Sequence, residues 1–215
     1  MKSRIVGLST LAVVVAVASL AVGCSSSSSK SSNTIRIGLE APITGSLSEL
    51  GQGMLNGAKQ AATQVNANGG VNGKKIEIVA IDDKGDPDAG VTAANAAVKA
   101  GLDAVVGPYN SGVGLKTLPI YTAAGLVPLR LTSSDATEGM GFTLQPMTSQ
   151  IAPVATDAIV KELKATSVAL IVDSSTDYTK SAATAMTASL GKAGVKITTI
   201  ESITPGAKTY ADTVT

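Results

Sequence analysis

TIRIGLEAPITGSLSELGQGMLNGAKQAATQVNANGGVNGKKIEIVAID, residues 34–82, carries the pattern that decides the fold. Over residues 34–40, Ile35, Ile37 and Leu39 alternate with other residues, the period of a strand. Residues 53–66 place Met54, Ala58, Ala61, Ala62 and Val65 at helical spacing. Asn68-Gly69-Gly70 stops that helix, and Asn72-Gly73 turns the chain. Residues 75–82 then read as a second strand through Ile76, Ile78 and Ala80. Strand, helix, strand within about fifty residues is a parallel crossover unit.

The same alternation continues downstream. Asp86-Pro87 opens a helix, with the aspartate as cap and the proline in the first turn. Val91, Ala94 and Val98 form its buried stripe, and Gly101 ends it. Residues 103–107 are a short apolar strand. Residues 111–124 are predicted helical, with Pro119 as an interruption or a boundary. A strand at 127–131, a helix at 151–163, a strand at 168–172, a helix at 181–193 and a strand at 195–203 follow. This is an α/β chain with largely parallel sheet covered on both faces. Such sheets bind ligands beyond the carboxyl ends of their strands, so the segments just after strands are the candidate site.

Upstream, the chain opens with Lys2 and Arg4, and residues 5–22 are apolar apart from Gly7, Ser9, Thr10 and Ser19. Leu20-Ala21-Val22-Gly23 then leads to Cys24, the one cysteine of the chain. A basic start, a short apolar run and small residues before a cleavage point make residues 1–23 an export signal peptide. Cys24 in that setting resembles the lipidated cysteine of a lipoprotein, although Ala21 stands where leucine is usual. Residues 24–33, serine-rich and without a residue to bury, read as a lipidated tether. The expected location is extracytoplasmic, held to the cell membrane by the lipid.

Composition narrows the chemistry. The formal charge of +1 falls to −1 once Lys2 and Arg4 are removed, so no general nucleic-acid partner is expected. There is no histidine and no second cysteine, which removes Ser-His-Asp and Cys-His nucleophile systems and the common zinc sites. No metal, no cofactor and no catalytic residue is expected. Asp82-Asp83-Lys84-Gly85-Asp86 lacks the alternating ligands and terminal glutamate of a calcium loop and reads as a strand end plus a helix cap. Gly51-Gln52-Gly53 with Gly57 falls short of a dinucleotide fingerprint, because ten residues separate it from Glu40 at the strand end.

The informative residues are hydroxyls after strands. Ser111 would sit at a helix N-terminus, where free N–H groups and the helix dipole favour a carboxylate. Thr132-Ser133-Ser134 follows the next strand and brings more donors to the same rim.

Several stretches taken together resemble one family. They are Ile35-Arg36-Ile37-Gly38 with Pro42-Ile43-Thr44-Gly45; Gly51 with Asn56-Gly57-Ala58; NANGGVNGKKI at 66–76; Asp82-Asp83 with Asp86-Pro87; Val105-Val106-Gly107 with Ser111; Ala124-Gly125-Leu126-Val127-Pro128; and Ile171-Val172-Asp173 with Tyr178. This combination resembles the type I periplasmic-binding fold, in particular the branched-chain amino acid (leucine/isoleucine/valine) binding proteins of ABC transporters. The resemblance implies two Rossmann-like lobes with parallel sheets that close on a ligand, without covalent chemistry. It divides the chain into an N-terminal ligand-binding lobe, 34–150, and a partial C-terminal lobe, 151–215. Residues 208–215 look like the opening of a helix with no stop, so the second lobe is expected to be truncated, with Val168, Leu170, Val195 and Ile197 exposed.

The resemblance also implies roles. Ser111 holds the ligand carboxylate; Thr132 and Ser134, with Ser133 between them, hold carboxylate and ammonium; Tyr178 covers the ligand; Leu50 lines the side-chain pocket. The implied acidic partner of the ammonium lies past residue 215. The implied partners are a small solute and an ABC permease in the membrane. An amide, urea or an aromatic acid as ligand, or a role as a ligand sensor, remains the alternative.

Overall fold

The computed structural model describes residues 33–213. The signal peptide, Cys24 and nearly all of the serine-rich tether lie outside the described residues. Among the described residues seven strands and five helices follow one another: β1 (Thr34–Ala41), α1 (Ser48–Ala67), β2 (Lys75–Asp82), α2 (Pro87–Lys99), β3 (Ala104–Val106), α3 (Ser111–Ala123), β4 (Leu129–Arg130), β5 (Phe142–Thr143), α4 (Thr148–Lys161), β6 (Ser167–Asp173), α5 (Asp177–Lys192) and β7 (Lys196–Ile203). Short 3-10 turns occupy Asp135–Thr137 and Ala211–Thr213.

The first five strands form one parallel sheet in the order β2-β1-β3-β4-β5, and β6 pairs with β7, also in parallel. In the larger sheet the strand order reverses beside β1. The connection through α1 leads to β2 on one side, and that through α2 returns to β3 on the other. The carboxyl ends of β1 and β3 therefore flank a crevice, the place where open sheets of this order bind ligands.

Both faces of the larger sheet are covered. Leu39, Ala41 and Ile43 pack with Leu55 of α1 on one face. Ile81, Val105 and Leu102 pack with Ala94 and Ala97 of α2 and Tyr121 of α3 on the other. Strand side chains alternate between faces, so Glu40, between Leu39 and Ala41, is sent toward α3 and is fully buried there.

The structure adjusts several sequence expectations. Helix α1 starts at Ser48, not Gly53; its N-cap, Leu47, makes no side-chain capping bond, so no capping signal marks the start. Helix α4 begins at Thr148, where the Gln150 carboxamide accepts from the Met147 N–H at 2.9 Å. Helix α5 begins at Asp177, four residues before its apolar stripe, because the Thr176 hydroxyl accepts from the Thr179 N–H at 3.1 Å. Pro119 lies within α3 without ending it. It is on the exposed side, where water can meet the carbonyl whose partner proline removes. Strand β4 is only two residues long, and β5 was not expected.

Exposure in the second unit also differs from the expectation. Val195 is buried, and Val168, Leu170 and Ile197 are half-buried against the helices. The exposed aliphatics of its two strands are Ile171 and Ile200, and helix α4 with the residues after it exposes Val154 and Leu163 as well. Among the described residues no helix is long and apolar enough to cross a membrane.

Candidate functional site

A cleft of about 480 Å³ opens at the carboxyl ends of the strands. Its walls come from the start of α1 (Leu47, Leu50), the lead-in and first turn of α3 (Tyr109 to Val113), the segment after β4 (Leu131, Ser133), and the first turn of α5 with its lead-in (Ser175 to Thr179). Four of the sequence-predicted residues, Leu50, Ser111, Ser133 and Tyr178, line this one space. Leu50 and Tyr178 are about half exposed, 47% and 43%.

Helix α3 points its N-terminus at the cleft. Its N-cap, Asn110, makes no side-chain capping bond, and the Asn110 Oδ1 is buried without a partner. First-turn N–H groups of α3 have no intrahelical acceptor and are left for an anion. Ser111 is 3% exposed, and its Oγ accepts from the Ser134 N–H at 3.2 Å. That bond ties the α3 terminus to the segment after β4 and leaves the Ser111 hydroxyl proton free to donate.

Thr132 and Ser134 are placed differently from Ser133. Neither lines the cleft. The Thr132 side chain is fully buried behind it, its Oγ1 accepting from Arg130 Nη1 at 2.9 Å and lying 3.0 Å from the Thr137 hydroxyl. Ser134 is 2% exposed and meets the site through its backbone N–H to Ser111.

Arg130, which the sequence reading passed over, braces this segment. Arg130 is 2% exposed, and its Nη1 donates to Thr132 O at 2.7 Å, Thr132 Oγ1 and Thr137 Oγ1 at 2.9 Å each. Burial lowers the guanidinium's pKa from its usual value. A charge inside the run Pro128-Leu129-Arg130-Leu131 was the available signal, since a buried arginine needs acceptors.

Asp135 is a second unannounced brace. Its carboxylate accepts from the Thr148 and Ser149 hydroxyls at 2.7 Å each and from the Ser149 N–H at 3.1 Å. Its own N–H donates to Ser181 Oγ of α5 at 3.1 Å, and Ser181 Oγ is 2.7 Å from Thr148 Oγ1. Desolvation raises the Asp135 pKa, but the bonds from Ser149 and Thr148 outweigh it and hold it below the usual carboxylate range.

The acidic run after β2 is structural, as its composition suggested. Asp82 accepts from the Thr44 N–H and hydroxyl, at 3.1 and 2.6 Å. Asp83 is buried and accepts from the Gly85 N–H at 2.8 Å. Asp86 caps α2 through the Asp88 and Ala89 N–H groups, at 2.9 and 2.7 Å. Gly51 serves close packing rather than a phosphate: a Cβ there would lie 2.1 Å from Pro42 O.

The cleft is therefore a mixed site. Leu47, Leu50, Val113, Leu131 and Ile151 supply apolar wall, and hydroxyls and helix N–H groups supply polar contacts. No lysine or arginine lines it among the described residues, so an anionic group would be held by neutral donors alone.

Comparison with known proteins agrees with this architecture. Residues 34–215 match the periplasmic binding protein family, and the chain belongs to that family, with the type I fold. A Leu/Ile/Val-binding protein from Rhizobium johnstonii is 35% identical over 182 residues, 82% of this chain and 49% of that protein. An amino acid binding protein from Pseudomonas aeruginosa is 38% identical over 186 residues, 83% of this chain and 49% of that one. Among solved structures, the branched-chain amino acid transporter substrate binding protein LivJ from Streptococcus pneumoniae, in complex with isoleucine, superposes with a TM-score of 0.75 at 28% identity. That superposition covers 84% of this chain and 52% of LivJ. The chain thus spans about half the length of the relatives it matches.

Proposed function

We propose that the protein is an extracytoplasmic solute-binding protein that captures an amino acid of branched-chain type and delivers it to an ABC permease. The observation that carries this reading is the cleft: an open α3 N-terminus with Ser111 beside apolar walls, in a chain of the periplasmic binding protein family. A free amino acid presents the complementary surface, an ionised carboxylate beside an aliphatic side chain. The names of relatives that bind leucine, isoleucine and valine point the same way.

In this reading the carboxylate lies against the first turn of α3 and takes the Ser111 hydroxyl proton. Ser133 and the backbone of Thr132 and Ser134 supply further polar contacts, Leu50 packs on the side chain, and Tyr178 covers the ligand. Closure over the ligand excludes water and strengthens these hydrogen bonds, so the ligand's differential contacts favour the closed form. The work is binding, with no covalent step. The protein is held at the membrane by lipid on Cys24, after removal of residues 1–23.

Calorimetric titration of the full natural chain with amino acids, short amides, urea and aromatic acids tests the reading. Saturable binding of leucine, isoleucine or valine is the expected result. Binding of an amide, urea or an aromatic acid with none of any amino acid would overturn it.

A further inference from the structure

A ring of hydrogen bonds outside the cleft joins its two walls. Ser181, half-buried on α5, does not line the cleft. Its Oγ accepts from the Asp135 N–H at 3.1 Å and lies 2.7 Å from Thr148 Oγ1. The Thr148 hydroxyl donates to Asp135 Oδ2 at 2.7 Å, so its oxygen is left to accept from Ser181. Every bond of the ring then runs the same way: Asp135 N–H to Ser181, Ser181 to Thr148, Thr148 back to the Asp135 carboxylate. Bonds in such a chain polarise and strengthen one another. Thr148 is 2% exposed, which shields its side of the ring from water.

The ring gathers three parts of the chain. Asp135 directly follows the Thr132-Ser133-Ser134 run. Thr148 is the first residue of α4, where the chain leaves the larger sheet, and its N–H donates to Ser133 O at 2.9 Å. Ser181 stands three residues after Tyr178, so one turn of α5 carries both. Among the described residues no other hydrogen bond runs from α5 to the residues before α4. We propose that Ser181 is a positioning residue: the ring latches the α5 wall, and Tyr178 with it, to the wall that carries Ser133. The strength of ligand capture then depends on a hydroxyl that never meets the ligand. The inference rests on the reading above of a protein that closes on its ligand. With the walls together, the Asp135 N–H has Ser181 as its acceptor; with the walls parted, it has water. Removing the Ser181 hydroxyl therefore penalises the assembled arrangement alone and shifts the population toward parted walls. Apparent affinity falls with the fraction of protein that stays assembled, by the same factor for every ligand.

Ser181→Ala in the full natural chain tests this. Alanine is a strong helix former, so the variant should keep its unfolding midpoint. In calorimetric titration leucine and valine should both bind about fivefold to thirtyfold more weakly than to the wild type, by one common factor. Small-angle scattering from the ligand-free protein should give a larger radius of gyration for the variant. Unchanged affinity overturns the proposal, as does a loss that differs between the two ligands, which would mean direct contact. A lowered unfolding midpoint would mean a packing role and overturns it too, as does an unchanged radius of gyration. A wild type that binds neither leucine nor valine overturns the functional reading itself, and the scattering comparison still decides the role of the ring.

Discussion

Glu40→Gln should remove a pH-dependent weakness from the core of the larger sheet. Glu40 is fully buried, with one carboxylate oxygen accepting from the Thr117 hydroxyl at 3.1 Å and the other without a partner. Tyr121, equally buried, lies nearby with its hydroxyl unbonded, and the buried Asp83 is the neighbouring charge. Burial, with a lesser contribution from Asp83, pushes the Glu40 pKa from 4.5 up to about 8. Because the folded value lies above the ordinary one, the folded protein holds this proton more tightly than the unfolded chain does. Stability is then complete below about pH 4.5 and drains away as pH rises toward about 8. At pH 7 the loss is on the order of 3 kcal/mol, a sizeable share of a domain's stability. Glutamine copies the protonated form and has nothing to lose. Urea denaturation of the full natural chain at pH 5, 6.5 and 8 is the assay. Wild type and variant should unfold together at pH 5, and the variant should become more stable by roughly 2–4 kcal/mol at pH 8. Asp83, raised by its own burial to about 6, leaves a shared slope at lower pH in both proteins. Parallel stability profiles from pH 5 to 8 would refute the reasoning.

Ser111→Ala removes the hydroxyl that joins α3 to Ser134 and donates to the proposed carboxylate. It should weaken leucine binding by about 1.5–3 kcal/mol, roughly tenfold to a hundredfold, in calorimetric titration. Wild-type affinity would refute the assigned role. Gly51→Ala and Gly53→Ala should act in opposite directions, although both lie in α1. The first drives a Cβ into Pro42 O and should destabilise by about 1–3 kcal/mol, whereas the second meets nothing within 4 Å and should stabilise by up to about 1 kcal/mol, read as shifts in denaturation midpoint. Cys24→Ala should move the protein from the membrane fraction to the soluble fraction of cells. An unchanged membrane fraction would sink the lipid-anchor proposal.

What the sequence made legible follows from how local each signal is. Helix α2 was readable because Asp86-Pro87 caps it with its own neighbours. The start of α5 was not, because Thr176 and Asp177 precede the apolar stripe that identified the helix. The alternation of Ile35, Ile37 and Leu39 in β1 marks the strand, and it is also where strand reading meets its limit. In a sheet covered on both faces the residues between them are not simply solvent-facing, and Glu40 is as buried as Leu39. Nothing within residues 34–41 reveals this; it depends on α2 and α3 being laid across the second face. Ser111 was placed correctly because a helix start after a strand is a local event. The Thr132-Ser133-Ser134 run could be placed only as a group. Successive side chains in extended backbone point opposite ways, so the phase decides which hydroxyl faces the cleft, and the sequence does not set the phase.

That phase is set from behind. Strand β4 is two residues long and offers the 132–134 segment almost no ladder to hang from. Its position is fixed by contacts to its back and ends. Arg130 holds the Thr132 carbonyl and hydroxyl, Thr137 Oγ1 donates to Ser134 O at 2.7 Å, Ser134 N–H reaches Ser111, and Ser133 O accepts from the Thr148 N–H at 2.9 Å. Each contact uses a backbone group or a hydroxyl turned away from the cleft and leaves Ser133 facing it. A site made of neutral donors needs this. One hydroxyl contributes little to holding a carboxylate unless several arrive together already in position, since ordering them at the moment of binding would cancel much of the gain. The buried Arg130 thus stays out of the cleft and braces its wall from behind: it donates to the Thr132 carbonyl and hydroxyl, one residue before Ser133.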